Sequence, residues 1–507
     1  MAPITNVEFS DVQGLLRFGY GKLTGACFLL LRIEDPAAAA GWLAEAPVST
    51  AEVKSPPPER ALQLAFTSQG LKRLGLSSEI LDGFSAEFIS GMAGEDNRSR
   101  RLGDTADSSP SKWQWGSSNT SLDMVAMIYA TPDLFDDWKH SLASQMQNSG
   151  FTVMHCLSTE DMGNIEPFGF ADGVSSPVID WERKRNPSGD QVTYENLVML
   201  GEFVLGYPNE YGLYTDRPKI DDAQADLPDA EDSPGSKDLG RNGTYLVMRQ
   251  IDQDVHGFWK FLSKQTGNSP TFTQELAEQF VGRKMSGAPL LSQSEQTITG
   301  VGPDPDDVRL NQFTFDTDPL GVACPFGAHI RRANPRNADL PPGTPPGLFG
   351  RLSRILALDR VFGAGGESIH KDRVASARFH RLLRRGREYG PLLTQAQRTG
   401  PPQPDESPSG LHFICLNANI GRQFEFVQGA WIQSTSFDGL RDENDPIIGN
   451  RMTISACPAA SFSLPVDAGL RQQIRDIPRF TTVRGGAYFF LPGIRALRYI
   501  ARAGKVS

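Results

Sequence analysis

Seven histidines occur in this chain of 507 residues, few enough to weigh singly for chemistry. His329 has the most suggestive setting. It follows the Pro- and Gly-broken run DPLGVACPFGA and precedes Arg331, Arg332 and Arg336. An imidazole can bind a metal while guanidinium groups pair with carboxylates, so the stretch suits an anionic metal cofactor. The competing reading is a helix start with a basic, solvated face. His140 and His155 have no acidic or cysteine partner at ligand spacing. His256 falls in a helix-like segment, and His370 and His380 in an Arg-rich one; all five read as surface or satisfied core side chains. His412, in the strand-like GLHFICL, is turned away from its apolar neighbours by alternation.

Two further residue types could complete a reactive site. Asp172 lies in EPFGFADGVSS, after the Pro167 to Gly169 break and just before Gly173, where a tight turn can present a carboxylate to a pocket. Arg384 lies in FHRLLRRGREYG and follows two leucines, which could carry its guanidinium inside. A plain turn and an Arg-rich helix face are the alternatives.

The elements that must position these residues read as βα units, each a short apolar run followed by a helix-like segment. GACFLLLRIEDPAAAAGWLAEA from Gly25 and GTYLVMRQIDQDVHGFWKFLSK from Gly243 share a glycine, an apolar strand with a late arginine, an acidic break and a Trp-bearing helix. A second such unit follows in each half, from Ser121 and from Gly410. The chain therefore reads as two diverged halves, residues 1–240 and 241–507, each an α+β arrangement of antiparallel sheet covered by helices. The acidic, Pro- and Gly-rich stretch Thr215 to Gly243 is the boundary candidate. Stretches near Gly300, Pro342 and Pro402 read as long surface loops.

Composition bounds the function. With 39% apolar and 22% charged residues the chain is that of a folded protein, and its length exceeds one ordinary core. A net charge of −10, without a basic aromatic stripe, argues against nucleic acid. No run of about 18 apolar residues occurs, which argues against a membrane. The N-terminus lacks a basic-then-apolar leader, so a cytoplasmic location is expected and the triplets at Asn97, Asn119 and Asn242 carry little meaning. Five cysteines (Cys27, Cys156, Cys324, Cys415, Cys457), odd in number and far apart, read as reduced core thiols.

GFADG, CPFGAHIRRANPR, LLRRGREYG, GLHFICLNANIGRQFEFVQGAW and NDPIIG, in that order, resemble the dye-decolorizing peroxidase family, and DVQGLLRFGYGKLTGACFLLLRI and VRGGAYFFLPGI extend the resemblance to both ends. It implies two ferredoxin-like halves of the α+β barrel-like superfamily with b-type heme between them. The first half carries the distal aspartate loop and the second carries the heme ligand and distal arginine. His329 becomes the axial ligand, Asp172 and Arg384 the distal pair, and Arg331 the partner of a heme propionate, with Gly173 beside the cofactor. Asp445 of NDPIIG is implied as the carboxylate behind the ligand, preferred to the neutral amide of Asn419. Leu411 and Phe413 would roof the distal pocket, while Trp431 and Tyr389 match surface electron-transfer positions. The Pro- and Gly-rich insertion between His329 and Arg384 leaves Arg385 as an alternative and suggests the larger intracellular bacterial subgroup.

The implied activity is a heme peroxidase that takes hydrogen peroxide and oxidises dyes, phenols or similar reductants through a high-valent iron–oxo species. A heme carrier or sensor on the same fold is the alternative, but a carrier needs no Asp172–Arg384 pair. A homo-oligomer is possible.

Overall fold

The computed structural model describes residues 6–506 apart from 118–119, 121, 185–195, 223, 292–309, 312, 316, 337–376, 455–456, 459 and 467–470. His370, Asn119, the stretches near Gly300 and Pro342, and most of the insertion between His329 and Arg384 lie outside the described residues. The stretch near Pro402 is an exposed loop.

One nine-stranded antiparallel sheet organises the chain. Its strands are β1 (Gly25–Ile33), β2 (Arg60–Phe66), β3 (Met124–Ala130), β4 (Phe151–Ser158), β5 (Thr244–Gln253), β6 (Leu383–Arg384), β7 (Arg387–Tyr389), β8 (Ser409–Asn417) and β9 (Thr481–Leu491). Their order is β6-β8-β5-β9-β2-β3-β1-β4, with β7 also paired to β8. Each half thus contributes strands in the same second-third-first-fourth order, and β1 and β5, the two GACFLLLRI-like segments, take equivalent places. The sheet path runs from β6 to β4 without closing into a barrel.

The apolar runs of β1 and β3 are continuous because both faces are covered. One face carries Leu29, Leu64 and Ile128 beneath helices α1 (Pro36–Glu45), α2 (Pro132–Asn148) and α6 (Ile494–Val506). The other packs Phe28, Met127 and Phe489 against Leu15, Leu16 and Phe203. A proline opens α1 and α2, and Asp35 caps α1 by accepting from Ala37 N and Ala38 N. In the second half, α3 (Val255–Gln265) and α4 (Pro270–Val281) build a separate core around Phe258, Trp259 and Phe480. The short α5 (His329–Ala333) lies beyond it. No helix among the described residues is long and apolar enough to cross a membrane.

Three of the expected core thiols, Cys27, Cys324 and Cys415, are buried, but Cys156 is exposed. It sits on β4, the terminal strand, where burial is thinner. The side chain of Cys457 lies outside the described residues.

The two halves join where β9 meets β2, and their ladder holds a single residue pair, Phe490 with Phe66. Beside that pair, Gln13 supplies what the ladder lacks. Its Nε2 donates to Leu64 O and Pro492 O, both at 2.9 Å, and its Oε1 accepts from Leu64 N at 3.0 Å. Asp11 extends the seam by accepting from Asn242 Nδ2 and Arg495 N. Replacing the fully buried Gln13 by Leu strands three backbone groups without water. Urea unfolding of Gln13→Leu is expected to reveal a loss of about 2–4 kcal/mol; a loss below about 0.5 kcal/mol would mean the seam does not rest on this side chain.

Candidate active site

The floor of a deep cleft is one face of β8, β5 and β9. Register sets Leu411 and Val483 on either side of Ile251, and Thr481 beside Gln253. Ile251, Gln253, Leu411, Phe413 and Thr481 all line the cleft, because period-two alternation sends this set to one side. The cleft and its mouth together span about 1430 Å³, open solvent included. Segment Glu166–Ser175 of the first half and Val281, α5 and Ile447–Ile448 of the second supply further walls.

His329 opens α5 and lines the cleft. Its Nδ1 lies 2.8 Å from Oδ2 of Asp445, which has no solvent exposure. The other oxygen of Asp445 accepts from Ile447 N and Ile448 N, both at 2.8 Å. Burial disfavours the Asp445 charge, yet His329, these amides and Arg332 together hold the carboxyl below its usual value. Burial likewise opposes a charged His329, but Asp445 outweighs it and raises the imidazole. An ionised Asp445 fixes the Nδ1–H tautomer and leaves Nε2 for the cleft. Asn419 is engaged elsewhere, accepting from Arg422 N and donating its own N–H to Gln423.

The second charged pair in the cleft is Asp172 with Arg384. Arg384 Nη1 donates to Asp172 Oδ1 at 2.7 Å, and Gly173 N donates to the same oxygen. Burial raises the Asp172 carboxyl, and the Arg384 charge with these two hydrogen bonds more than reverses it, so the group sits below its usual value. Oδ2 is left as the oxygen able to carry a proton. Arg384 reaches the cleft because Leu383 and Arg384 alternate along β6, Leu383 entering the core opposite Leu416 and Arg384 facing the other side opposite Cys415. Arg385 points away and donates to Leu15 O and Leu16 O. Of the two, Arg384 lines the cleft and Arg385 does not.

The loop that presents Asp172 is anchored by a residue the sequence reading passed over. Glu166 accepts from Phe168 N, Phe170 N and Gln253 Nε2, and its backbone N–H donates to Phe170 O. Burial raises its carboxyl. Gly169, at φ +106°, makes the return, and a Cβ there would lie 2.2 Å from Nη1 of Arg398. Glu388 adds a third acid near Asp172; burial and the Asp172 charge push it up to about 7. The EPFGF context of Glu166 was the available signal, but the acid three residues before Gly169 looked like part of the turn.

Arg331 departs from expectation. Its guanidinium is buried, donates to Asp318 Oδ2 and Cys324 O, and lies against Phe315 and Phe326, outside the cleft lining. The reason is its position on α5, where two residues beyond His329 the side chain projects to another side of the helix. Arg381 and His380 line the cleft instead. Gly173 is not among the lining residues; it serves Asp172 through its N–H and its left-handed φ of +79°. His412 is on the opposite face of β8 from Leu411 and Phe413, but buried rather than outward, 3.0 Å from Ser158 O and stacked on Tyr389. Burial brings it down to about 4. Tyr389 is thus on the sheet face away from the cleft and donates to Asp252. Trp431 is half-buried, with its ring 5.2 Å from that of His380, which stacks on Phe426 at 3.7 Å.

Among the described residues no group of three or more His, Cys, Asp or Glu could hold a metal ion. A metal taken by His329 must bring its other ligands, as a porphyrin does. The broad, largely apolar cleft suits such a macrocycle.

No family model matches the chain. Two curated fungal relatives are each 28% identical: dye-decolorizing peroxidase msp1 of Mycetinis scorodonius, over 97% of this chain and 88% of its own length, and dye-decolorizing peroxidase AauDyP1 of Auricularia auricula-judae, over 97% and 87%. A multifunctional dye peroxidase DyP2 of an Amycolatopsis strain is 29% identical over 50% of this chain and 48% of its own. Among solved structures, a fungal DyP-type peroxidase from Auricularia auricula-judae superposes with a TM-score of 0.70 at 24% identity, covering 99% of this chain and 100% of that one. The relatives matched over the full chain are fungal, so the bacterial subgroup expected from the insertion finds no support in them. End to end, the chain is similar in sequence to dye-decolorizing peroxidases and shares their fold.

Proposed function

We propose that the chain is a heme peroxidase that binds b-type heme in the cleft through Nε2 of His329 and uses hydrogen peroxide to oxidise phenols, aromatic dyes or similar reductants. One observation carries this reading: a carboxylate-backed imidazole and an ionised carboxylate–guanidinium pair line the same cleft, near enough for their charges to interact. One of the solved relatives is a dye-decolorizing peroxidase in complex with 2,6-dimethoxyphenol, in keeping with a phenolic reductant.

Bound heme would supply the iron at which peroxide is reduced and would store the oxidising equivalents passed to the aromatic reductant. The protein supplies the rest. Asp445 holds the Nδ1 proton of His329 and makes the ring a stronger donor. Asp172 takes a proton from peroxide at Oδ2 and returns it to the departing oxygen, so the O–O bond breaks without releasing a poor leaving group. Arg384 keeps Asp172 ionised and offsets the negative charge that develops. Leu411 and Phe413 keep the cleft floor apolar. Arg381 is a second arginine lining the cleft, beside Arg384, and suits a heme carboxylate. Trp431, in ring contact with cleft-lining His380, supports electron delivery from reductants too large for the cleft better than Tyr389 does.

His329→Ala is expected to abolish the Soret band on heme titration, and a band of unchanged position and intensity would remove His329 as the ligand. Asp172→Asn is expected to bind heme normally yet consume peroxide about 100-fold more slowly or worse; equal loss of binding would make Asp172 structural. The pH dependence follows from the depressed Asp172 carboxyl, which stays ionised below its ordinary value and is lost as a base only at lower pH. Removing the cation in Arg384→Leu lets burial raise that carboxyl. The acid limb of peroxide consumption should then move to higher pH in stopped-flow rates, and an unmoved or lowered limb would contradict the assignment.

A further inference from the structure

A pair of cysteines lies at the opposite end of the sheet from β6, away from the cleft. Antiparallel pairing of β1 with β4 sets Leu29 opposite Cys156 and Cys27 opposite Ser158. Cys27 and Cys156 therefore point to the same face as diagonal neighbours. They are distinct in setting. Cys27 is 1% exposed in the core beneath α2, whereas Cys156 is open to solvent. Their thiols are close enough that each shifts the acidity of the other.

We propose that Cys27 and Cys156 form a peroxide-oxidised dithiol site, separate from the cleft, that closes to a disulfide between β1 and β4. Exposed Cys156 is the attacking sulfur and buried Cys27 the resolving one. The Cys156 thiolate attacks one oxygen of hydrogen peroxide and forms an S–O bond as the O–O bond breaks, releasing hydroxide that is protonated to water. Cys27 then gives up its proton and attacks the sulfenic sulfur; an S–S bond forms, the S–O bond breaks, and a second water leaves. Two thiols and one peroxide become one disulfide and two waters.

The surroundings favour that division of roles. Hydrogen bonds from Cys27 and Ser158 and the charge of Lys139 outweigh burial at Cys156 and bring its thiol down to about 6, while its role as donor, its burial and the nearby Asp136 hold Cys27 well up. Cys324 and Cys415 are buried and held up as thiols by that burial. β4 ends the sheet and pairs with β1 alone, so it is free to shift and bring the diagonal sulfurs to bonding distance.

The test uses the full-length protein, reduced, desalted and treated with a small excess of hydrogen peroxide. Free thiols are then blocked with iodoacetamide, and the digest is mapped by mass spectrometry without reduction. A Cys27–Cys156 linked peptide pair that reductant dissolves is expected. In Cys27→Ser a dimedone-trapped sulfenic acid at Cys156 should replace it, and in Cys156→Ser, a change at an exposed position, Cys27 should stay unmodified. Recovery of both residues as alkylated thiols would overturn the proposal, as would Cys156 joined to Cys156 of a second chain, or oxidation of Cys27 in Cys156→Ser. His329→Ala should form the same crosslink. A crosslink that requires His329 would assign the oxidation to the cleft and refute direct attack by the thiolate.

Discussion

A carboxylate with no solvent exposure is costly unless its oxygens are filled, and Asp445 fills both. One oxygen takes His329 and the other two consecutive amides, while its own backbone N–H donates to Ile432 O. Arg451 clamps the turn by donating to Asp445 O and Pro446 O. Arg332 ties α5 to the carbonyls of Trp431, Ser434 and Glu443. The segment around Trp431, the turn at Asp445 and α5 are therefore one hydrogen-bonded unit, and the orientation of His329 depends on it. Loss of the Asp445 charge weakens its hold on the ring and on the two amides, although its oxygens can still accept.

The Asp172 pair obeys a different balance. Asp172 and Arg384 keep about a third of their side-chain surface accessible, so their pairing is held less by burial than by the rigid pieces that present them. Glu166 and Gly169 shape the loop from the first half, and β6 fixes Arg384 from the second. The cleft thus draws on both halves, and the first-half loop is tied directly to the second by Gln253 donating to Glu166 and Ala171 N donating to Met285 O.

Much of this was legible in residue patterns. The duplicated GACFLLLRI and GTYLVMRQI runs mark β1 and β5, which occupy equivalent places in the sheet because equivalent apolar strands nucleate equivalent pairings. Asp172 before Gly173, and Arg384 after paired leucines, follow from turn and alternation rules that act locally. Arg331 was misread because nothing local tells which side of a short helix will meet Asp318, thirteen residues upstream. His412 was expected to face outward, yet the far face of β8 is covered by Phe28 and Tyr389, partners distant in sequence. Glu166 was hidden by its turn-like context, and His380 by the Arg-rich run around it. Cys156 looked like a core residue because its strand is apolar, and only sheet order reveals that strand as an edge.

The central claim is that the Asp445 charge, delivered through His329, governs the electron density of a heme iron in this cleft. The direct test is the ferric–ferrous midpoint potential of heme-loaded Asp445→Asn beside the parent protein, with the Soret band confirming equal loading. Loss of the negative charge should raise the potential, on the order of tens of millivolts. An unchanged or lowered potential in fully loaded protein would contradict the account.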